Sequence, residues 1–331
     1  MSAAGLLSIL QLLFLRACIK AASQQTGDSF TNHNCQQLIP APRMVYLHFQ
    51  KAAGTTVENG LKRFIADLSV RCGSKVGFDR PSGSNYRSST FSQSQRNAGI
   101  VAGHGYWGCH KELNTTSSSY VYTAFFRNPL TRALSHFARS SCKAKKNCSI
   151  QRFLRLHARN YYYNRLVYND NLVGGGEYGE NLQNIVPKSI IRRNKEGKLL
   201  DLAKKRIDSM PFVGLVEEFD SSMLMFGRFL SQYFGLPDSI HFNLFYCRSQ
   251  NSFISTYKRM NYDRIGLERY LWLDHEIFEF AKQKFASQKK AFKAFEKALE
   301  EYKTNQKQYD SACCHAVRER WCFSDPPWSE H

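Results

Sequence analysis

The chain has 331 residues, of which 46 are Lys or Arg and 27 are Asp or Glu, leaving a formal net charge of +19. Hydrophobic residues make up 43% and aromatics 14%, with only 20 Gly and 9 Pro, which excludes a collagen-like, low-complexity or wholly disordered chain. No apolar run beyond the N-terminus is long enough for a polytopic membrane protein. The positive charge predicts an anionic partner (nucleic acid, a membrane surface or an acidic polymer), against the plainer reading of a basic surface kept for solubility.

The first element is the run Leu6 to Leu15, apolar except for Ser8 and Gln11 and stopped by Arg16. It is short of the ~20 residues of a spanning helix. Its length suits a signal-peptide core, and Ala21-Ala22-Ser23 offers small residues for cleavage. Residues 1–22 are therefore a signal peptide or a short uncleaved anchor, with a buried N-terminal helix as the alternative. Residues 23–42 are polar and Pro-bounded and read as a stem or linker. The folded domain is expected over 43–310, with a Cys-containing tail at 311–331.

Ten cysteines lie at 18, 35, 72, 109, 142, 148, 247, 313, 314 and 322, none in C-x2-C zinc spacing. Behind a secretory signal they read as disulfide-forming, and Cys142 with Cys148 can close a small Lys-bearing loop. Cleavage near Ala22 leaves nine, so at least one stays unpaired. Asn114-Thr115-Thr116 and Asn147-Cys148-Ser149 are N-glycosylation acceptors.

Short apolar runs at Met44–Phe49, Ile100–His104, Tyr120–Phe126 and Phe212–Leu215 predict buried strands. Helical patterns follow at Thr56–Leu68, from Pro129 to about Phe137, and along the stripe Phe219, Met223, Phe226, Leu230. Residues 73–97 read as a long surface loop. Strands alternating with helices predict an α/β fold with a parallel sheet. From Leu267 to about Tyr309 one long charged helix is expected, with Phe285, Phe292 and Leu299 seven residues apart. Packing on its own domain is preferred to a coiled coil.

Two segments carry chemistry. Val45 to Thr56 is a strand, a turn holding Lys51 and Gly54, then Thr55 and Thr56 at a helix start. A helix N-terminus offers unpaired backbone N–H groups and a partial positive charge, and Lys51 adds a mobile cation, so this is a phosphate or sulfate cradle. The Walker A pattern is absent. In the second segment Arg127 leaves the end of a strand and Ser135 lies two helical turns on. Both loops open at one carboxyl edge, where Arg127 can fork onto a second phosphate; a surface ion pair is the alternative for Arg127 alone.

Together these segments resemble the Golgi carbohydrate sulfotransferases, most closely the heparan sulfate 6-O-sulfotransferases. Leu47-His48-Phe49-Gln50-Lys51-Ala52-Ala53-Gly54-Thr55-Thr56 is similar to that family's H-[IV]-Q-K-T-G-G-T-T signature. Phe126-Arg127-Asn128-Pro129-Leu130-Thr131-Arg132-Ala133-Leu134-Ser135 is similar to its L-R-D-P-V-S-R-x-L-S. Phe212 to Phe219 is similar to its F-x-G-L-T-E stretch. The departures are Ala52 and Ala53 for Thr and Gly, which lose a hydroxyl and backbone freedom, and Asn128 for Asp, which loses a charge able to orient the arginine.

The resemblance implies a P-loop-NTPase-like parallel sheet flanked by helices and the donor 3′-phosphoadenosine 5′-phosphosulfate, with no metal. By motif, Lys51, Gly54, Thr55 and Thr56 hold the 5′-phosphosulfate and Arg127 and Ser135 the 3′-phosphate, while Arg248 and Ser249 fall near a further nucleotide contact. A sugar hydroxyl needs a general base, and histidine suits the task. The family has a G-x-H with a nearby aromatic residue in the region of Ala102-Gly103-His104-Gly105-Tyr106-Trp107, so the resemblance makes His104 the expected base and His110 the alternative; His48 is expected in the strand core or as a structural residue beside the donor. Arg152, Arg155 and Arg159 are spaced to share one helix face, among Tyr161, Tyr162, Tyr163 and Tyr168. With Asn164, Arg165 and Trp107 they are expected to bind an anionic glycan acceptor, a solvated basic helix being the alternative. Nucleic acid is disfavoured by the secretory features. The expected setting is the Golgi lumen, with membrane contact only through an uncleaved N-terminal segment. The alternatives left open are another sugar or a protein acceptor, and an inactive secreted polyanion-binding protein.

Overall fold

The computed structural model describes residues 43–72, 77–79, 98–110, 120–139, 149–167, 193–236, 243–246 and 264–321. The N-terminal segment, the triplet Asn114-Thr115-Thr116, Asn147 of the second triplet, Cys142, Cys148, Tyr168, Arg248 and Ser249 lie outside these. Among the described residues no helix is long and apolar enough to cross a membrane.

Five strands form one all-parallel sheet: β1 (Arg43–Leu47), β2 (Phe78–Asp79), β3 (Ile100–Gly103), β4 (Tyr120–Phe126) and β5 (Phe212–Leu215), in the order β2-β3-β1-β4-β5. Such a sheet is covered by helices on both faces, which is why its strands are continuous apolar runs rather than alternating ones. β1, β3 and β5 are buried almost throughout. Leu47 is level with Gly103 of β3 and Ala124 of β4, so the carboxyl ends of the three central strands share one rim. β1 is the point from which the chain winds both ways, and ligands in open α/β sheets bind at the carboxyl side of such a switch point.

The flanking helices are α1 (Gly54–Cys72), α2 (Pro129–Arg139), α3 (Ile150–Phe153), α4 (Tyr161–Val167), α5 (Arg193–Ser209), α6 (Phe219–Tyr233), α7 (Arg264–Glu268), α8 (Trp272–Ala291) and α9 (Phe295–Trp321). The inward stripe of α6 is as expected: Met223, Phe226 and Leu230 are fully buried and Phe219 half-buried. Phe226 meets Tyr46, Phe125 and Phe212 in an aromatic core beneath the sheet. Each fully buried ring of this size contributes roughly 1.5–3 kcal/mol. The core leaves no room beside Phe125 at position 214, where a Cβ would come within 2.7 Å of that ring, so the residue is Gly214.

Three local features depart from expectation. The expected surface loop at 73–97 contains β2, a two-residue strand. The expected single helix from Leu267 to Tyr309 is three helices, α7, α8 and α9. Phe292 is extended after α8, and Ala294 sits at φ 54°, a left-handed turn made without Gly or Pro. The apolar residues of the stripe fold back onto the domain: Phe285, Phe295, Leu299 and Tyr302 all belong to the main core. Finally, α3 runs into a π-turn at Leu154–Ala158, and Arg159 is extended.

The outer edge of β5 is closed by side chains. Val213 N donates to Gln288 Oε1 (3.3 Å) from α8, and Gln288 Nε2 donates to Pro211 O (2.8 Å). Leu215 N donates to Ser222 Oγ (2.8 Å), which donates back to Leu215 O (2.9 Å).

Candidate functional site

The chain leaves β1 through a tight turn. Phe49 N donates to Leu47 O (3.0 Å) and Ala52 N to Phe49 O (3.1 Å), while Lys51 and Ala53 take left-handed φ values of 64° and 59°. Two non-glycine residues in that region cost about 1–2 kcal/mol each, strain of the kind that gathers at binding and catalytic turns. The first helical bond of α1 runs from Val57 N to Ala53 O (3.1 Å). The backbone N–H groups of Ala53, Gly54, Thr55 and Thr56 therefore precede the helical ladder and carry the positive end of its dipole. Thr55 is exposed and Thr56 half-buried.

Gly54 is there for packing. A Cβ on it would overlap Cδ2 and Nε2 of the His48 ring, so the helix start rests directly on that imidazole. His48 is buried, and its Nδ1 lies 2.7 Å from Oε1 of Glu58, itself buried on α1.

Beyond the adjacent rim, at the end of β3, stands His104. Its Nδ1 donates to His48 O (2.8 Å), and the two rings are 4.1 Å apart between centroids. A proton held on Nδ1 leaves the lone pair on Nε2, the tautomer a general base needs. Burial, reinforced by His48, lowers the pKa of His104 from 6.5 to about 4, so the ring is neutral at pH 7. That is below the near-neutral value expected of a base.

His110 is held elsewhere. Its Nδ1 is 2.6 Å from Tyr122 Oη and its ring stacks on Tyr120. Tyr120 and Tyr122 are level with Arg43 and Val45, at the amino half of β1. His110 therefore sits away from the rim that His104 and the turn share. Cys109 beside it is buried, with its Sγ 3.8 Å from Tyr122 Oη.

Arg127 follows β4 and is half-buried; its Nη1 donates to Lys51 O (3.1 Å), tying the β4 loop to the β1 turn. Its backbone N–H and C=O are both engaged by Tyr162 Oη at 2.9 Å. Asn128 does not orient the arginine. Its Oδ1 accepts from Thr131 N (3.1 Å), capping α2, a role asparagine fills as well as aspartate. Ser135 is half-buried on α2, two turns along.

The residues expected to bind an acceptor divide into two groups. Arg165 and Trp107 belong to the site: Arg165 Nη1 donates to His104 O (3.1 Å), and Trp107 N donates to Arg165 O (2.9 Å). Trp107 stacks on Tyr122, with the Arg206 guanidinium 5.6 Å from its ring centroid. Arg152, Arg155 and Arg159 are exposed but do not share one helical face, because the π-turn and the extended Arg159 break the three- and four-residue spacing. Asn164 Nδ2 donates to Arg159 O (3.2 Å), closing that corner. Tyr162 and Tyr163 are core residues rather than stacking platforms, and Tyr161 is half-buried with its Oη accepting from Gln50 N (3.2 Å).

Three buried charged residues went unread in the sequence: Glu58, Arg132 and Asp274. Glu58 lies on the inward stripe of α1 with Val57, Leu61, Phe64 and Leu68, a position where a carboxylate is out of place and hence informative. Arg132 lies with its guanidinium 4.3 Å from the Tyr161 ring centroid and donates from Nη2 to Ala158 O (3.3 Å). Asp274 Oδ1 accepts from Tyr163 N (3.0 Å) at the start of α4, and burial pushes its pKa up to about 6. Together the pair supports the wall on which Tyr161 and Tyr162 grip the turn after β1 and Arg127.

No protein-family model matches the chain, and no curated protein is significantly similar to it.

Proposed function

We propose that the protein is a sulfotransferase of the heparan sulfate 6-O type, acting in the secretory pathway on an anionic glycosaminoglycan. The observation that carries the reading is the convergence on one rim of a cationic, N–H-rich turn and a neutral histidine whose Nε2 is the lone-pair nitrogen.

The donor set fits 3′-phosphoadenosine 5′-phosphosulfate in its chemistry. Unladdered N–H groups, two hydroxyls, Lys51 and Arg127 are all donors, and an anion is what such a set binds. When bound, that nucleotide supplies a sulfuryl group on a phosphate leaving group. The residues of this chain do the rest. The turn at Lys51–Thr56 binds the phosphosulfate end, and Arg127 with Ser135 holds the second phosphate. His104 Nε2 takes the proton of the acceptor hydroxyl as its oxygen bonds to sulfur and the sulfur–oxygen bond to phosphate breaks. Lys51 neutralises the charge left on that phosphate oxygen. An anion beside His104 favours its imidazolium and raises it toward the working range of a base. Arg165 and Trp107 flank the same ring and suit an anionic sugar.

The test is transfer of labelled sulfate from the donor to a panel of selectively desulfated heparan, chondroitin and dermatan chains. Transfer to 6-O-desulfated heparan is expected. His104→Ala should lower kcat by about 10²–10⁴-fold, the usual contribution of a positioned base, with near-normal binding of 3′,5′-adenosine bisphosphate by calorimetry. Nucleotide binding without transfer to any acceptor would refute the activity and favour a polyanion-binding protein of the same fold.

A further inference from the structure

The His48–Glu58 pair lies beneath both halves of the site, and neither residue faces an acceptor. Glu58 comes from the first turns of α1, His48 from the end of β1, and their contact at 2.7 Å is buried on both sides. The His48 ring has two further neighbours. Gly54 lies against its Cδ2–Nε2 edge, so the ring sets the height of the donor-binding helix start. The His104 ring packs 4.1 Å away, with Nδ1 anchored on the His48 carbonyl. One imidazole thus braces the anion turn and the base at the same time. Its orientation is fixed by Glu58 on one side and, more loosely, by the Tyr46 ring at 6.4 Å on the other. A buried carboxylate has a large desolvation cost, which suits a residue retained for orientation better than one retained for stability.

We propose that Glu58, acting through His48, is the positioning residue of this site, fixing the tautomer and placement of His104 relative to the turn at Lys51. The pair is comparable to the outer partner that orients a metal-bound histidine, whose loss typically costs about 10–100-fold in activity. Here the carboxylate acts one residue removed: it fixes the His48 side chain, and with it the residue whose main-chain carbonyl holds the His104 proton. Of the groups that bear on His104, the His48 ring from the β1 turn and Arg165 from α4 disfavour its protonated form, while the His48 main-chain carbonyl and, from α1, the Glu58 carboxylate favour it. Removing its charge therefore makes His104 a weaker base.

The proposal rests on the sulfotransferase reading for its kinetic consequence but not for its structural one, and the experiment separates the two. Long-range 1H–15N NMR of the full chain reports the tautomer and the titration midpoint of His104 with no substrate present. In Glu58→Gln, close in size but uncharged, the midpoint should fall and resonances of the second tautomer should emerge. Sulfate transfer at saturating donor should fall roughly 10–100-fold. The Kd for 3′,5′-adenosine bisphosphate should stay within about twofold, since Gln keeps the His48 ring under Gly54. Should Glu58→Gln fail to fold, Glu58→Asp retains the charge but withdraws it from Nδ1, and part of the same NMR change is expected. A His104 midpoint and tautomer identical to wild type in the folded variant would overturn the proposal, even if the wild type transfers sulfate. The NMR change in a protein that transfers no sulfate would leave the positioning role standing and remove the activity.

Discussion

Gly54→Ala tests whether the site is assembled as described, because its effect passes through a single contact. The added methyl has no free volume, since it overlaps the His48 ring. The ring would have to retreat by on the order of an ångström or more to reach ordinary van der Waals separation. Its Nδ1 is 2.7 Å from Glu58 Oε1, and both groups are buried, so such a retreat separates the pair and leaves a carboxylate without its imidazole. Overpacking alone costs about 1–3 kcal/mol, and disrupting a buried pair about 3–5 kcal/mol. Partial relaxation places the expected loss near 3 kcal/mol, which lowers Tm by roughly 6–12 °C in a domain of this size. Urea unfolding followed by circular dichroism gives the free energy, and calorimetry with 3′,5′-adenosine bisphosphate gives the functional loss. Alanine is a better helix former than glycine, so without the clash the substitution would stabilise α1 by up to ~1 kcal/mol. A Gly54→Ala protein as stable as wild type, with nucleotide binding intact, would refute the packing of His48 under the helix start.

On the proposed function, Arg127→Ala removes a phosphate clamp, and a charge-assisted bond of that kind is worth about 1.5–3 kcal/mol, so nucleotide Kd should rise roughly 10–150-fold. Nucleotide lacking the 3′-phosphate should bind wild type and variant alike, and competition calorimetry reads both. Acid should expose the buried neutral state of His104. Its pKa is lowered from 6.5 to about 4 in the fold, so its contribution is fully present above pH 6.5 and lost as pH falls toward 4. The loss over that window is about 3 kcal/mol, and the denaturant midpoint of His104→Gln should fall correspondingly less than that of wild type between pH 7 and 4.

The sheet was legible because buried parallel strands leave an unmistakable mark. Runs such as Val213-Gly214-Leu215 have no polar alternation to confuse with a surface helix, and four of the five strands followed from them. β2 was not, since two residues carry no periodicity. The break after α8 was hidden for a different reason: Phe292-Lys293-Ala294 contains no Gly or Pro, and the left-handed Ala294 is imposed by packing of Phe295 and Leu299 rather than by local preference. The placement of the Lys51 turn and of His104 at one carboxyl rim could be read because each directly follows a legible strand, β1 and β3. The partners that hold them could not. Glu58 meets His48 across ten residues, Tyr162 meets Arg127 across 35, and Asp274 meets Tyr163 across 111, and such contacts arise only once the sheet has formed. The arginines at 152, 155 and 159 show the converse error, in which helical spacing suggested a face that a π-turn dissolves.

The closed margin of β5 bears on how the protein meets other chains. An exposed strand edge is a template for adding a foreign strand, whether a peptide ligand, a second copy or a growing aggregate. Here Gln288 behaves as a substitute strand, receiving from Val213 and giving to Pro211, while Ser222 does the same at Leu215. At the opposite margin lies the two-residue β2. Along the described margin of β5, association by strand addition is thus barred. Substituting Gln288 and Ser222 together would strip that protection and turn a closed strand margin into one prone to self-pairing.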